Sequence, residues 1–188
     1  PSSAASDVYK RQVIIVIPAR YKSQRFPGKP LAMLKGFTGN KKTLIERTWM
    51  VAKKVKDVNR VIIATDDIRI KKVADSFGAE VLMTSDKHNN GTERVAEVVK
   101  RLKESYSVVV NLQGDAPLTP PKVVEQLIFA LQEKKLAMAT PILACDRNQV
   151  IDLINDRKKG NVGATTVVYD KNKDALYFSK EVIPYINL

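Results

Sequence analysis

The sequence predicts an α/β protein: three layers, α/β/α, around a mainly parallel sheet. Two observations carry this. Short runs of β-branched residues alternate along the chain with longer stretches whose apolar residues recur every three or four positions. Gly, Pro or Asp stands at several of the stops, as Pro18, Asp66 and Gly78 do. Strands that alternate with helices become parallel neighbours, joined by right-handed crossovers, with helices on both faces of the sheet. The 188 residues are enough for one such domain with a real core.

The elements follow in order. Residues 13–17, "VIIVI", are a buried strand. From Thr43 the pattern turns helical, with Leu44, Ile45, Thr48, Val51, Ala52 and Val55 on one face and Thr43 as N-cap. Residues 60–65, "RVIIAT", are a second strand. Asp66 or Asp67 caps a helix that carries Ile70, Val73, Ala74 and Phe77, and Gly78 ends it. Residues 80–83 form a third strand, and the polar "TSDKHNN" leads into a helix over 91–104 with Val95, Val98, Val99 and Leu102 inward. A fourth strand covers 107–112. The next helix starts near Pro120 and Pro121, where proline suits a first turn. A fifth strand is expected over 136–142, and "ATTVVYD" with "ALYFS" reads as an antiparallel pair around "KNKD".

Composition removes several classes. No run of 18 apolar residues exists, so no transmembrane helix is expected. Residues 1–12, "PSSAASDVYKRQ", carry no apolar core and are no secretory signal; they read as a non-native or disordered leader before a single domain over 13–188. Cys145 is the one cysteine, which rules out an internal disulfide and a multi-cysteine metal site and fits a reducing, cytoplasmic setting. The net charge of +12 asks for an anionic partner, and most of the excess sits on lysines of helical stretches, which are solvated faces.

In open parallel sheets ligands bind outside the carboxyl ends of the strands. The first strand ends in "PARYKSQRFPGKP". Here Arg20, Lys22, Arg25 and Lys29 stand within ten residues with no acid among them. Arginine forks grip phosphate oxygens with paired hydrogen bonds, and lysine adds a point charge. The loop is neither a P-loop nor a dinucleotide fingerprint, and a solvated basic loop or a nucleic-acid patch stays open on composition alone. The fourth strand ends in "NLQGDAP". Asp115, after Gly114, is placed to hold Mg²⁺, which takes one or two carboxylates plus substrate phosphates; an ordinary Gly-Asp turn is the plain alternative. The third strand leads to "HNNGTER", where Asn90 or Thr92 could read a base or simply cap a helix, and His88, the single histidine, is a loop residue without an assigned task.

These loops, in this order, resemble the cytidylyltransferases that activate acidic sugars, above all the 3-deoxy-manno-octulosonate (Kdo) cytidylyltransferase, or CMP-Kdo synthetase, family. "IPARYKSQRFPGKPL", "ATDD", "GAEVLMTSDKHNNGTERVAE", "VNLQGDAP" and "ALYFSKEVIPY" carry the resemblance, over roughly residues 13–188. It implies a nucleotide-diphospho-sugar transferase fold and Mg²⁺-dependent transfer of CMP from CTP to a sugar hydroxyl, feeding lipopolysaccharide synthesis. It assigns Arg20, Arg25 and Lys29 to the triphosphate, Ala19, Asn90, Gly91, Thr92 and Gln113 to the cytidine, Asp115 to the metal and Lys180 to the sugar side, with Arg94 as a support. No nucleic acid and no membrane are expected as partners, and the full-length protein is expected to be a homodimer. Family members often have serine at Asn90, glutamate at Ala116 and arginine at Lys180. They also continue for some tens of residues past Leu188, with a later acidic residue that completes the metal site, so the chain reads as lacking its C-terminal part. An N-acylneuraminate or 8-amino-Kdo enzyme, a truncated non-catalytic nucleotide binder and a nucleic-acid module are the other readings; the last predicts binding that weakens steeply with salt and ignores the base.

Overall fold

β1 (Val13–Ala19) is the axis of the fold. In the computed structural model, which describes residues 12–22 and 26–185, Val13 to Ile17 are at most 1% exposed. Burying each of those side chains contributes about 1.5–3 kcal/mol. The strand is apolar without alternation because both of its faces are covered. Ile15 and Ile17 pack on one side with Ile45, Ala52, Ile70, Ala74, Val124 and Ile128. Ile14 and Val16 pack on the other with Val95 and Val98.

The order of the sheet explains that division. The short β2 (Met33–Lys35) and β3 (Lys41–Thr43) form an antiparallel hairpin beyond β1. Then come α1 (Leu44–Ala52), β4 (Arg60–Thr65), α2 (Ile68–Ser76), β5 (Glu80–Met83), α3 (Gly91–Arg101) and β6 (Val108–Asn111). The main sheet runs β5-β4-β1-β6, and all its pairs are parallel. The chain steps outward from β1 to β4 and β5, with α1 and α2 on one face. It then returns past β4 and β1 to β6, and a right-handed crossover in the reverse direction puts α3 on the opposite face. α4 (Pro121–Lys134) joins the first layer through Val124 and Ile128. The three-layer, mainly parallel architecture expected from the sequence is therefore what the chain adopts.

Local signals act as expected. Thr43 Oγ1 accepts from the backbone N–H of Glu46, and Asp67 accepts from that of Arg69, so both helices are capped by side chains. Gly78 follows α2 with φ +78°, a left-handed turn that favours glycine.

Four features depart from the sequence expectation. Residues 136–142 are not a strand; they lie mostly exposed, without a ladder partner. Lys135 turns left-handed after α4, and a cavity lined by Val108, Val109, Leu131 and Met138 separates the next segment from β6, so no ladder can close. The helix expected over 91–104 stops at Arg101, because Leu102 is already extended. The β2–β3 hairpin and α5 (Arg147–Lys158) are absent from the sequence expectation, although Asp146 and Gln149 form a reciprocal capping box that opens α5.

The chain divides after Pro141 into two compact units. In the second, α5 precedes β7 (Thr166–Tyr169) and β8 (Ala175–Ser179), which pair antiparallel as their sequences predict. Among the described residues no helix is long and apolar enough to cross a membrane.

Candidate functional site

Chain travel across the sheet reverses between β1 and β6: from β1 it runs to β4 and β5 on one side, and β6 is added on the other. Loops leaving adjacent strands at such a switch point open a crevice. A cleft of about 290 Å³ lies there. Pro18, Ala19, Arg20, Lys29 and Pro30 form one wall; His88 to Gly91 and Arg94 form another; Gln113, Gly114 and Asp115 close it.

The described residues on either side of the first wall are tied together through their backbone. Gly28 N–H donates to Tyr21 O at 2.8 Å, and Leu31 N–H to Gly28 O at 2.8 Å. Gly28 has φ +72°, and a Cβ there would meet the Tyr21 ring at 3.0 Å. The Arg69 guanidinium stacks on that ring 3.3 Å from its centroid, and Asp67 holds the guanidinium at 2.9 and 2.7 Å. That contact holds Asp67 below the usual carboxylate range. The start of α2 thus clamps the base of the turn that presents Lys29.

Across the cleft Lys29 Nζ lies 2.6 Å from Asp115 Oδ2. Both side chains are about half exposed, so the pair is worth about 0–1 kcal/mol and exchanges easily. Gly114 carries Asp115 into place. A Cβ on it would lie 2.7 Å from Pro18 O, and its carbonyl accepts from the buried Thr48 hydroxyl at 3.1 Å. Only glycine lets the β6 loop approach β1 this closely.

The third wall is the entry to α3. Asn90 is its N-cap: Oδ1 accepts from Glu93 N–H at 2.9 Å, and Nδ2 donates to Glu93 Oε1 at 2.9 Å. Both ends of the Asn90 amide are engaged, so the polar edge this position offers the cleft is chiefly backbone. Gly91 fits under Pro18, where a Cβ would meet Pro18 Cγ at 3.0 Å. Arg94 is 3% exposed, ion-paired with Asp66 at 3.3 Å and hydrogen-bonded to the Thr84 hydroxyl. It supports the floor, the role expected of it from sequence.

Of the residues singled out from sequence, Ala19, Arg20, Lys29, Asn90, Gly91, Gln113 and Asp115 converge on this cleft. Thr92 is exposed beside it and accepts from Asn111 Nδ2 at 3.3 Å. Arg25 lies outside the described residues. Lys180 is in the second unit, where it donates to the Thr165 hydroxyl at 2.7 Å. His88 lines the cleft although sequence reasoning assigns it no task. Its one sequence signal is its place two residues before the Asn90 cap.

With Lys29 set against Asp115 and Arg94 against Asp66, Arg20 is left as a cationic fork at the mouth, among the described residues. Such a site can take a phosphorylated ligand and a hard cation together. Asp115 is the one carboxylate among the described residues that line the cleft, and would be the carboxylate offered to a metal here. That donor set fits Mg²⁺, which is commonly held by one or two carboxylates with substrate phosphates and water.

A family profile described as Cytidylyltransferase matches residues 14–188. The chain is 46% identical over 174 residues to the 3-deoxy-manno-octulosonate cytidylyltransferase of Maricaulis maris (strain MCS10), covering 92% of this chain and 65% of that protein. It is 42% identical over 178 residues to the protein of the same name from Thermodesulfovibrio yellowstonii, with the same two coverages. Among solved structures it resembles a CMP:2-keto-3-deoxy-manno-octonic acid synthetase complexed with CTP, at TM-score 0.75 and 33% identity over 93% of this chain and 66% of that one. The chain therefore spans about two thirds of the length of these relatives.

Proposed function

The chain belongs to the cytidylyltransferase family, and from that premise we propose that its cleft binds CTP with Mg²⁺ and that the protein transfers CMP to the anomeric hydroxyl of 3-deoxy-manno-octulosonate, releasing pyrophosphate. The observation that carries the proposal is the meeting of Lys29 and Asp115, from the ends of adjacent parallel strands, in a cleft walled by the start of α3. The names of the relatives, and the CTP with which the structural neighbour is complexed, support the choice of nucleotide and sugar.

The chemistry asks for alignment and charge neutralisation more than for covalent work. Arg20 and Lys29 neutralise phosphate oxygens, joined by Arg25 on the sequence reading. Asp115 would hold Mg²⁺, and the metal would supply further positive charge beside those oxygens. Backbone groups of Asn90 and Gly91, with Gln113, face the nucleoside. The sugar hydroxyl attacks the α-phosphorus, a P–O bond to the β-phosphate breaks, and the hydroxyl proton is released. The same reading makes lipopolysaccharide synthesis the destination and a cytoplasmic homodimer the working unit; its support is the family.

The test is pyrophosphate release with Mg²⁺, crossing CTP, UTP, ATP and GTP against Kdo, N-acetylneuraminate and no sugar, alongside calorimetric titration of the chain with CTP. Release with CTP plus Kdo alone is expected. Release with another acidic sugar would keep the mechanism and replace the acceptor. CTP binding without release would reduce the chain to a nucleotide binder, and no CTP binding would overturn the reading.

A further inference from the structure

His88, the single histidine, is wedged between two carboxylates one helical turn apart on α3. Its Nε2 lies 2.5 Å from Glu97 Oε2, and its Nδ1 is 3.8 Å from Glu93 Oε2; the side chain is 19% exposed. The same two carboxylates hold the backbone of the segment that carries it. Glu97 Oε2 accepts from Ser85 N–H at 2.9 Å, and Glu93 Oε2 from Asn89 N–H at 2.9 Å. Glu97 is held down to about 2, first by the hydrogen bond from His88, then by that from Ser85 N–H and by Arg101. The strand-to-helix connection is thus fastened at positions 85 and 89 through its backbone and at position 88 through a ring. Between and just beyond those points its residues form the wall opposite Lys29 and Asp115.

A wall segment whose peptide groups meet the ligand needs its backbone fixed to a fraction of an ångström. Of the three fastened residues, His88 and Asn89 line the cleft, and His88 is the one held through its side chain. We propose that His88 is a positioning residue: bridged to Glu97 and Glu93, it fixes the 88–91 wall and thereby sets affinity for the nucleoside half of the nucleotide, leaving the phosphate half to Arg20, Lys29 and Asp115. This rests on the nucleotide reading above.

The two halves of the cleft can be probed separately by calorimetry in the presence of Mg²⁺, with CTP for the whole site and inorganic triphosphate for the phosphate wall. His88→Ala is expected to weaken CTP about 5–10-fold, the scale of one lost hydrogen-bonded anchor, with triphosphate binding unchanged. His88→Gln keeps an amide N–H where Nε2 stood and is expected to restore CTP binding to within about twofold. Should His88→Ala fail to fold, Glu97→Gln, which keeps an acceptor for Ser85 N–H but gives up the charge facing the ring, is expected to show the same selective loss at smaller size. Equal CTP affinity in the unmodified chain and His88→Ala would overturn the inference, and so would parallel loss of CTP and triphosphate or no rescue by glutamine. Triphosphate binding without CTP binding in the unmodified chain would instead sink the nucleotide reading, and the inference with it.

Discussion

Gly114→Ala tests how the site is built. A Cβ at 114 would lie 2.7 Å from Pro18 O, 3.4 Å from Ile45 Cδ1 and 3.5 Å from Ala19 Cβ. Ordinary C···O contacts are about 3.3–3.6 Å, so roughly 0.6 Å has to be found. Pro18 cannot supply it: its neighbours Ile17 and Ala19 are buried, and it stands opposite Ala64 in the β1–β4 ladder. The β6 loop must move instead, away from the Thr48 hydroxyl that now donates to its carbonyl. Overpacking costs about 1–3 kcal/mol and the stretched hydrogen bond about 1 kcal/mol more, so a loss of roughly 2–4 kcal/mol is expected. For a chain of this size that lowers Tm by roughly 5–15 °C. Asp115, the next residue, moves with the loop, so CTP affinity should fall with stability. Urea unfolding gives the first quantity and calorimetric CTP titration the second. Gly163→Ala is the control, because a Cβ there meets nothing within 4 Å and its φ is not positive. If Gly114→Ala unfolds at the same urea concentration as Gly163→Ala and binds CTP equally well, the close approach of β1 and the β6 loop is not what holds the site.

Two further outcomes are expected. Asp115→Asn keeps the side-chain shape at an exposed position, so stability should change by less than about 0.5 kcal/mol while Mg²⁺-dependent pyrophosphate release falls at least about 100-fold; undiminished turnover would take Asp115 out of the metal site. Glu97 has its carboxyl depressed to about 2 from the ordinary 4.5, so its stabilising contribution is complete above about pH 4.5 and fades as pH falls towards 2. Glu97→Gln should therefore be less stable than the unmodified chain at neutral pH, by about 1 kcal/mol, and the gap in urea midpoints should narrow through that acid range. A gap of constant size from pH 6 to 3 would contradict the assignment.

Much of this can be read from the chain alone. The strands at Arg60–Thr65 and Glu80–Met83 fall where apolar runs meet Asp or Gly punctuation; the first is largely buried, and the second, at the sheet edge, is half-buried. Strand order brings together the loops that carry Lys29 and Asp115, because they leave the carboxyl ends of neighbouring strands; that Lys29 comes back onto Asp115 depends on the Gly28–Tyr21 hydrogen bond, which strand order does not give. The segment 136–142 misleads because composition reports what a residue would suit and says nothing of whether a ladder partner is in reach. α5 escapes a periodicity reading because its faces are weakly differentiated and none of its residues is buried, although its Asp146–Gln149 cap is in plain view. His88 has no role in the sequence because, although the helix start at 91 is legible and Glu93 and Glu97 then share a face, nothing in the sequence shows that the loop before the helix folds back onto that face.

The Lys29–Asp115 pair has a consequence for the order of events on the proposed reading. A bare divalent ion arriving at Asp115 would have to evict a tethered ammonium and leave it with no anion to turn to. A triphosphate arriving alone would have to draw Lys29 away and strand the carboxylate. Were both to arrive as one complex, Asp115 could turn from the ammonium to the metal and Lys29 from the carboxylate to a phosphate oxygen, so that each keeps a counter-charge. The exchange resembles a double displacement between two salts; with both groups half exposed and the pair worth about 0–1 kcal/mol, it favours the metal–nucleotide complex over either ion by itself by at most about fivefold.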